Sequence, residues 1–343
     1  MITPRSLVLL LSLMAACARN PGEVVVRRSQ PHMGTVVTLT VAIDDEAVAE
    51  RAIASGFAEV SRLDQLLSNY KSTSDLSRLN AQAGTGPVSV APELFEVTRA
   101  AVQIATRSGG AFNPLLQPVI KLWGIPEHPR VPSAAELEAL RPLTDLRGLV
   151  LSEDQRTIAL AQPGMALGLG GVGKGYTADR VAEVLEQSGA RGGVAAIGGD
   201  IRVFGKHPDD RPWRIAVRPP QADTPPLAVV ELSRGAVSTS GDYERYFEVD
   251  GVRYHHIIDP RSLMPAQGAA SVTVLAPTAT EADGLATAVL VMSPAEGVAL
   301  VERSAHSAAL ILDQDRRRLA SSRWPAGVES DAKFDLRDGE NAY

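Results

Sequence analysis

The 343-residue sequence has a single cysteine, Cys17, so no disulfide can form within the chain. It has no excess of positive charge either, because 34 Lys and Arg stand against 40 Asp and Glu, for a formal net charge of -6. This balance argues against a nucleic-acid-binding protein. With 45% hydrophobic residues, the chain can still bury a large core, as one large domain or two closely joined ones.

Aromatic residues are sparse, with three Trp, six Tyr and six Phe in the whole chain. An aromatic side chain beside a Gly-rich turn is therefore informative, and Tyr70, Phe112 and Trp123 stand in such places. Packing in the core is the more common role for residues of this type.

Long hydrophobic runs are missing except at the N-terminus. Arg5 precedes the apolar run from Leu7 to Met14, and Ala15-Ala16-Cys17 follows. The run is too short to span a bilayer, and the order of charged, apolar and small residues is that of a secretion signal. We therefore expect an exported protein.

The position of Cys17 resembles a bacterial lipobox, in which the cysteine thiol takes a diacylglycerol. We expect residues 1–16 to be a lipoprotein signal peptide, residues 17–25 to be a linker, and the lipid to hold the protein on a membrane, facing the periplasm or the cell exterior. A plain secretion signal with an incidental cysteine is the alternative.

Hydrophobic periodicity predicts both helices and short strands. The 3.6-residue spacing predicts helices over 47–67, 92–107, 133–140, 175–188, 280–292 and 294–303. Short apolar and β-branched runs predict strands over 23–28, 36–41, 149–151, 157–160, 194–197, 201–204, 213–217, 227–232, 235–239, 254–258 and 271–275. Together they indicate an α+β fold with mixed, largely antiparallel sheets and packed helices. Without a repeat or a dividing linker, residues 26–325 are expected to form one domain, followed by a polar tail over 326–343.

A glycine-rich segment runs from Gly168 to Gly175 and contains Lys174. It is not a P-loop, because Gly175 stands where a Ser or Thr hydroxyl would hold Mg²⁺, and it lacks the later acidic residue of a dinucleotide fold. Closely approaching backbone N–H groups and a helix that starts near Tyr176 would still favour an anion. The segment predicts a phosphate-bearing ligand, or else a turn that lets a helix pack tightly on a strand.

Asp283 and Thr287 are four residues apart on a predicted helix, so their side chains share one face. A carboxylate and a hydroxyl are oxygen ligands suited to Mg²⁺. The alternative is that Thr280 and Asp283 form an approximate capping box, in which Asp283 serves only the start of its own helix.

Eight segments in order resemble the FAD:protein FMN transferase family, also called ApbE-like, over roughly residues 30 to 320. These segments are Met33-Gly-Thr35, Ser68-Asn-Tyr70 with Ser77-x-x-Asn80, Ser108-Gly-Gly-Ala-Phe-Asn-Pro114 with Leu122-Trp-Gly124, Leu169-Gly-Gly-Val-Gly-Lys-Gly-Tyr176, Ile197-Gly-Gly-Asp200, Ser238-Thr-Ser-Gly241, His255-His-Ile-Ile-Asp-Pro260 and Ala282-Asp-Gly-Leu-Ala-Thr287. The resemblance implies a T-fold-like architecture for the domain.

The resemblance also implies a reaction, the transfer of FMN from FAD to a Thr or Ser hydroxyl of a target protein through a phosphoester, with release of AMP. It implies Mg²⁺, or Mn²⁺ in its place, on Asp283, Thr287 and the main-chain carbonyl of Gly171. The implied nucleotide contacts are Met33, Tyr70, Ala111, Phe112, Asn113, Gly168, Lys174, His256 and Ile257. The expected acceptor is a redox protein or an electron-transport subunit.

We assign catalysis to Asp283 and to His256, which we expect to act as general base because an unperturbed imidazole pKa of about 6.5 suits proton removal at neutral pH. His255 would point the opposite way in a strand. A hydrogen-bonding role beside the phosphates is the alternative for His256.

The chain departs from the family pattern at Gly168 and at Asn113, where Asp is usual, and at Ser262-Leu263, where Thr-Gly is usual. Gly168 offers no side chain, and the loss of a ligand contact there could weaken binding by about 1–3 kcal/mol. Two other activities therefore stay open: an exported FAD carrier without transfer, and an FAD pyrophosphatase that gives FMN and AMP.

Overall fold

The computed structural model describes residues 24–220 and 224–325. The predicted signal peptide, Cys17, most of the linker and the polar tail lie outside the described residues. Val24 and Val25, assigned to the linker from the sequence, belong to the first strand.

The described helices are α1 Glu46–Leu67, α2 Asp75–Ala81, α3 Pro92–Arg107, α4 Gln117–Trp123, α5 Ala134–Leu140, α6 Gly173–Gln187, α7 Ala279–Val291 and α8 Pro294–Arg303. The strands are β1 Val24–His32, β2 Thr35–Ile43, β3 Val88–Ser89, β4 Leu149–Ser152, β5 Thr157–Leu160, β6 Gly192–Ile197, β7 Asp200–Gly205, β8 Trp213–Val217, β9 Ala228–Leu232, β10 Gly235–Gly241, β11 Tyr246–Val249, β12 Val252–His255, β13 Ser271–Ala276, β14 Ala308–Leu312 and β15 Arg318–Ala320.

Eight of these strands form one antiparallel sheet in the order β1-β2-β6-β7-β10-β13-β14-β15. Helices α1, α6 and α7 pack together on one face, and the main core lies between them and the sheet. A smaller apolar cluster on other sheet side chains is covered by the β8–β9 pair, through Trp213 and Ile215. The predicted α+β fold with largely antiparallel sheets is confirmed.

The β11–β12 hairpin is separate from the main sheet and packs beside α4. Trp123 at the end of α4 is buried, stacks on Tyr254 at 5.5 Å between ring centroids, and donates a hydrogen bond from Nε1 to the carbonyl of Leu263 at 3.0 Å. This packing fixes the position of the segment that follows β12 and contains His256 and Leu263.

The six predicted helices are confirmed, and each of their ends lies within two residues of the predicted position. The bounds of the strand predicted over 254–258 are wrong, because β12 spans Val252–His255. The sequence missed short elements, namely α2, α4, β3, β11, β14 and β15. Within residues 24–220 and 224–325, none of the helices has both the length and the apolar character needed to cross a membrane.

Candidate active site

A buried cluster of charge lies where the first turn of α6 meets strands β7 and β10. The Lys174 ammonium contacts Asp200 Oδ2 and lies 3.8 Å from Asp283 Oδ2. Ser238, which pairs with Asp200 across the strands, donates a hydrogen bond to Asp200 Oδ1 at 2.5 Å. Both carboxylate side chains are only 3% exposed, whereas 34% of the lysine side chain is exposed, so solvent reaches the cluster along Lys174.

The charges of this cluster do not balance, because two carboxylates share one ammonium. Burial and the charge of Asp200 together raise the pKa of Asp283 to about 7. Burial disfavours the charged form of Lys174, but the carboxylates of Asp200 and Asp283 prevail and raise its pKa. A further positive charge would therefore stabilise the cluster.

Helix α7 does not use Asp283 to cap its own start. Its N-cap is Thr278, whose hydroxyl accepts a hydrogen bond from the Glu281 N–H, and Thr280 lies inside the helix. Asp179 of α6 accepts hydrogen bonds from the Ala279 and Thr280 N–H groups at 2.8 and 2.9 Å. The capping-box alternative is wrong, because these groups leave the Asp283 carboxylate to other partners.

Asp283 instead serves the start of the neighbouring helix. Its Oδ2 accepts a hydrogen bond from the Gly175 N–H at 3.0 Å, in the first turn of α6, where Val172 offers no side-chain cap. A Cβ on Gly175 would lie 2.2 Å from the Ala279 carbonyl oxygen, so only glycine allows the two helices to approach so closely. The expected anion position at the start of α6 is therefore already partly filled by a carboxylate.

Gly171 and Thr287 are also brought together. A Cβ on Gly171 would lie 3.0 Å from Thr287 Oγ1 and 2.9 Å from the Phe112 ring, so the missing side chain leaves a small space between these groups. Among the described residues there is no cluster of three or more His, Cys, Asp or Glu side chains that could hold a metal. A cation here would depend on a hydroxyl and a main-chain carbonyl as well as carboxylate oxygens.

His256 directly follows β12 and is half-buried. Its Nδ1 lies 3.3 Å from the Arg245 carbonyl, which also accepts the His256 backbone N–H at 3.0 Å. Burial is the main cause that lowers the pKa of His256 to about 3, and the positive charges of Arg245 and Lys174 act in the same direction. The expectation of an unperturbed imidazole is wrong, and the ring is neutral at pH 7.

Arg245 links His256 to the turn between β1 and β2. Its Nη2 donates to the Gly34 carbonyl at 3.3 Å, next to Met33, which has a left-handed backbone with φ of 52°. The first family segment therefore reaches the same region as His256, although 223 positions separate Met33 from His256 along the chain.

His255 has a structural environment. Its Nε2 lies 2.8 Å from the Ala266 carbonyl, and its Nδ1 accepts the Ile257 N–H at 3.3 Å, so the neutral ring uses both nitrogens. Burial lowers the pKa of His255. Ile257 itself is 7% exposed and packs in the main core.

The glycine loop is fixed from outside by two asparagines. Asn80 donates to the Leu167 carbonyl at 2.9 Å and accepts the Leu167 N–H at 2.8 Å, and Asn69 donates to the same carbonyl. Gly168 N–H donates to the Pro114 carbonyl at 2.7 Å. These bonds join the family segments around Asn80 and Asn113 to the loop before α6.

The remaining expected nucleotide contacts are spread over different environments. Phe112 is 4% exposed and belongs to the core, and Ala111 is half-buried beside it. Asn113 donates from its amide to the Thr144 carbonyl and accepts the Leu115 N–H, so both ends of the amide are engaged. Tyr70 is 72% exposed, unlike Phe112 and Trp123, for which core packing is confirmed.

No role was predicted for Asp200, Arg245 or Gln117, whose Oε1 lies beside Gly168. The segment from Ser238 to Gly241 was interpreted as hydroxyls and backbone that contact a ligand, and in the structure Ser238 donates to Asp200. Asp200 and Ser238 stand in family segments, so their presence was visible but their partnership with Lys174 was not. Arg245 and Gln117 carry no sequence signal of their own.

Known proteins share both this sequence pattern and this fold. The model of the ApbE family matches residues 33–311. An FAD:protein FMN transferase of Vibrio cholerae is 33% identical over 317 residues, which cover 89% of this chain and 92% of the relative. Another from Treponema pallidum is 36% identical, covering 80% and 81%. The crystal structure of the ApbE protein from Thermotoga maritima superposes with a TM-score of 0.80 at 30% identity, covering 87% of this chain and 97% of that one.

The matched residues include Lys174, Asp200 and Asp283 of the charged cluster as well as the His256 segment. The chain therefore belongs to the ApbE family.

Proposed function

We propose that this protein transfers FMN from FAD to a Thr or Ser hydroxyl of a target protein through a phosphoester bond and releases AMP. The relatives named FAD:protein FMN transferase support this reaction. Within the structure, the observation that carries the proposal is the uneven charge of the buried cluster, with Asp200 and Asp283 against Lys174 alone at the start of α6.

A divalent cation fits this arrangement. Asp283 Oδ2 accepts the Gly175 N–H, and its Oδ1 has no hydrogen bond from the described residues, so one carboxylate oxygen is available. Asp283, Thr287 and the Gly171 carbonyl would hold Mg²⁺, or Mn²⁺ with the same oxygen donors. When bound, the cation would offset negative charge on the FAD pyrophosphate.

His256 is suited to accept the proton of the attacking hydroxyl. Donation from Nδ1–H to the Arg245 carbonyl leaves the Nε2 lone pair free, and an anionic pyrophosphate would raise the low pKa of the ring. The hydroxyl oxygen then bonds to the phosphorus of the FMN half, and the bond from that phosphorus to the bridging oxygen breaks. AMP leaves with that oxygen, while Lys174 and Arg245 supply positive charge nearby.

We propose that the remaining nucleotide contacts fall on Met33 and Ala111 and on the backbone of Asn113 and Ile257, because the Asn113 amide is already hydrogen-bonded and the Ile257 side chain is buried. We also propose that Tyr70 offers its exposed ring to the flavin. An exposed aromatic side chain next to a structured glycine loop is suited to stacking on a planar heterocycle. The core position of Phe112 suits a backbone contact better than a contact through its ring.

We also propose export and lipid anchoring at Cys17, on the pattern of residues 1–17. A Cys17→Ser variant is expected to lose incorporation of a labelled fatty acid and to appear in the soluble fraction. Retention of the label would contradict the proposed anchor.

The transfer test uses the full chain in detergent with FAD, Mg²⁺ and a candidate acceptor domain that carries a Thr. We expect flavin fluorescence that stays with the acceptor after denaturation, together with AMP. His256→Gln should lower transfer at least about 100-fold, whereas His128→Gln, at an exposed histidine, should not.

The same mixture separates the two alternatives. FAD that binds in a one-to-one ratio without AMP or labelled acceptor would point to a carrier. Release of AMP at the same rate whether or not the acceptor domain is present would point to a pyrophosphatase.

A further inference from the structure

The space beside Gly168 is filled by a side chain from another segment. A Cβ on Gly168 would lie 2.8 Å from Gln117 Oε1 and 3.3 Å from Gln117 Cβ. Gln117 is the first residue of α4, and the Gly168 N–H holds the two segments together by donating to the Pro114 carbonyl at 2.7 Å. The glutamine amide therefore lies against the glycine loop that leads to Gly171 and Lys174.

Backbone conformation does not require glycine at position 168. Gly168 is absent from the residues with positive φ, whereas Gly164, four residues earlier, has φ of 88°. A side chain at position 168 would instead meet Gln117, and the flexible Gln117 side chain would have to move to make room for it. The two positions are coupled.

The Gln117 amide is half-buried and has no hydrogen bond with the residues that the structure describes, although one end can donate and the other accept. Asn69, Asn80 and Asn113, the other amides around the loop, are all engaged with backbone groups. Gln117 is therefore the amide at this loop that is left for a ligand within residues 24–220 and 224–325.

We propose that Gln117 contacts the bound dinucleotide and takes over the polar contact that Gly168 cannot make. This inference rests on the proposed function, because it assumes that FAD is the ligand. A neutral amide with a donor and an acceptor side by side matches the hydrogen-bonding edge of a heterocycle, as on a flavin or an adenine. It also places no further negative charge near the pyrophosphate.

The test measures FAD affinity of the full chain in detergent by quenching of flavin fluorescence. Gln117→Ala is expected to raise the Kd for FAD about 5- to 30-fold and to raise the KM for FAD, with kcat changed less than twofold. Gln103→Ala, at an exposed glutamine of α3, is the matched control and should leave Kd unchanged. A Gln117→Ala variant that binds FAD like the parent overturns the proposal.

FMN and AMP serve as separate probes of the two halves of FAD. A loss of affinity for FMN assigns the contact to the flavin half, and a loss for AMP assigns it to the adenosine half. A loss for neither probe, or a loss for FAD that is matched by an equal fall in kcat and a lower Tm, overturns the proposal in favour of a structural role.

The coupling between positions 117 and 168 is tested by placing a polar side chain at position 168 and removing the one at position 117. Gly168→Asp alone should weaken FAD binding, because the new Cβ meets the Gln117 amide, whereas Gly168→Asp combined with Gln117→Gly should bind FAD more tightly than either single variant. Strictly additive effects would overturn the coupling. If the unmodified protein binds no FAD, the proposed function fails instead, and that result is distinct from all the others.

Discussion

Replacing Asp283 by asparagine separates its proposed cation-binding role from its structural role. The carboxylate has two oxygens, and Oδ2 accepts the Gly175 N–H at 3.0 Å. Asparagine has a single oxygen, so an amide that keeps this hydrogen bond presents its NH₂ group to the proposed cation position. Asp283→Ala would lose both functions, because it leaves a buried N–H at the start of α6 without an acceptor.

The expected stabilities follow from this geometry. Asp283→Ala should lower the free energy of unfolding by about 1–2 kcal/mol, the usual cost of a lost helix cap. Asp283→Asn keeps the bond and leaves Lys174 paired one-to-one with Asp200, so in the absence of metal it should be at least as stable as the parent. In the parent, Mg²⁺ at about 100 times its Kd should add about 2.7 kcal/mol, or about 5 °C in Tm.

Thermal unfolding with and without Mg²⁺ is the first assay, and FMN transfer is the second. Asp283→Asn should show no Mg²⁺-dependent rise in Tm and should lower transfer about 100-fold or more. Asp154→Asn, at an exposed carboxylate in the turn before β5, is the matched control. An Asp283→Asn variant that responds to Mg²⁺ and transfers FMN like the parent would refute the reasoning.

Three further predictions test the surroundings of the cluster. Gly175→Ala should destabilise the protein by about 1–3 kcal/mol in chemical denaturation, because its Cβ would lie 2.2 Å from the Ala279 carbonyl oxygen; a loss below about 0.5 kcal/mol, on the order of a neutral surface change, would contradict the close helix contact. Because burial lowers the pKa of His255, the unfolded chain binds a proton below pH of about 6.5 that the folded chain does not, so stability falls as pH drops below that value. His255→Gln, whose amide can donate to the Ala266 carbonyl, should reduce this slope by up to about 1.4 kcal/mol per pH unit in urea titrations, and an unchanged slope would contradict it. Tyr70→Ala should leave Tm within about 1 °C, because the ring is 72% exposed, but should weaken FAD binding about 3- to 10-fold by fluorescence titration; unchanged affinity would remove Tyr70 from the site.

Much of the fold could be predicted from local pattern. The long helix over Glu46–Leu67 has apolar residues at helical spacing and an Asp45 side chain that caps Val48 N–H, so periodicity and capping agree. Helix α4 was missed because Leu116 offers no side-chain cap that would mark its start, and β14 was missed because it is buried along its whole length and shows no alternation of apolar and polar residues. The predicted bounds of β12 were wrong because its pairing with β11 ends after the His256 N–H to Arg245 carbonyl bond, and Ile258 pairs with Pro265 instead.

The candidate site also has features that the sequence shows and features that depend on tertiary contacts. The residue types, their order and the family segments were readable in the sequence, and so was the Asp283 and Thr287 pair on one helix face. Whether Asp283 capped its own helix could not be decided there, because the choice depends on Asp179, which is 104 positions earlier in the chain.

The sequence by itself thus determined the fold class, the family segments and the chemical types available for binding a phosphate and a cation, since these depend on local pattern and residue identity. Only the tertiary structure decided how those groups are shared. It assigned the start of α7 to Thr278 and Asp179, freed Asp283 for the first turn of α6, and placed Gln117 against Gly168. Each of these outcomes depends on contacts between segments far apart in the chain, which local patterns do not specify.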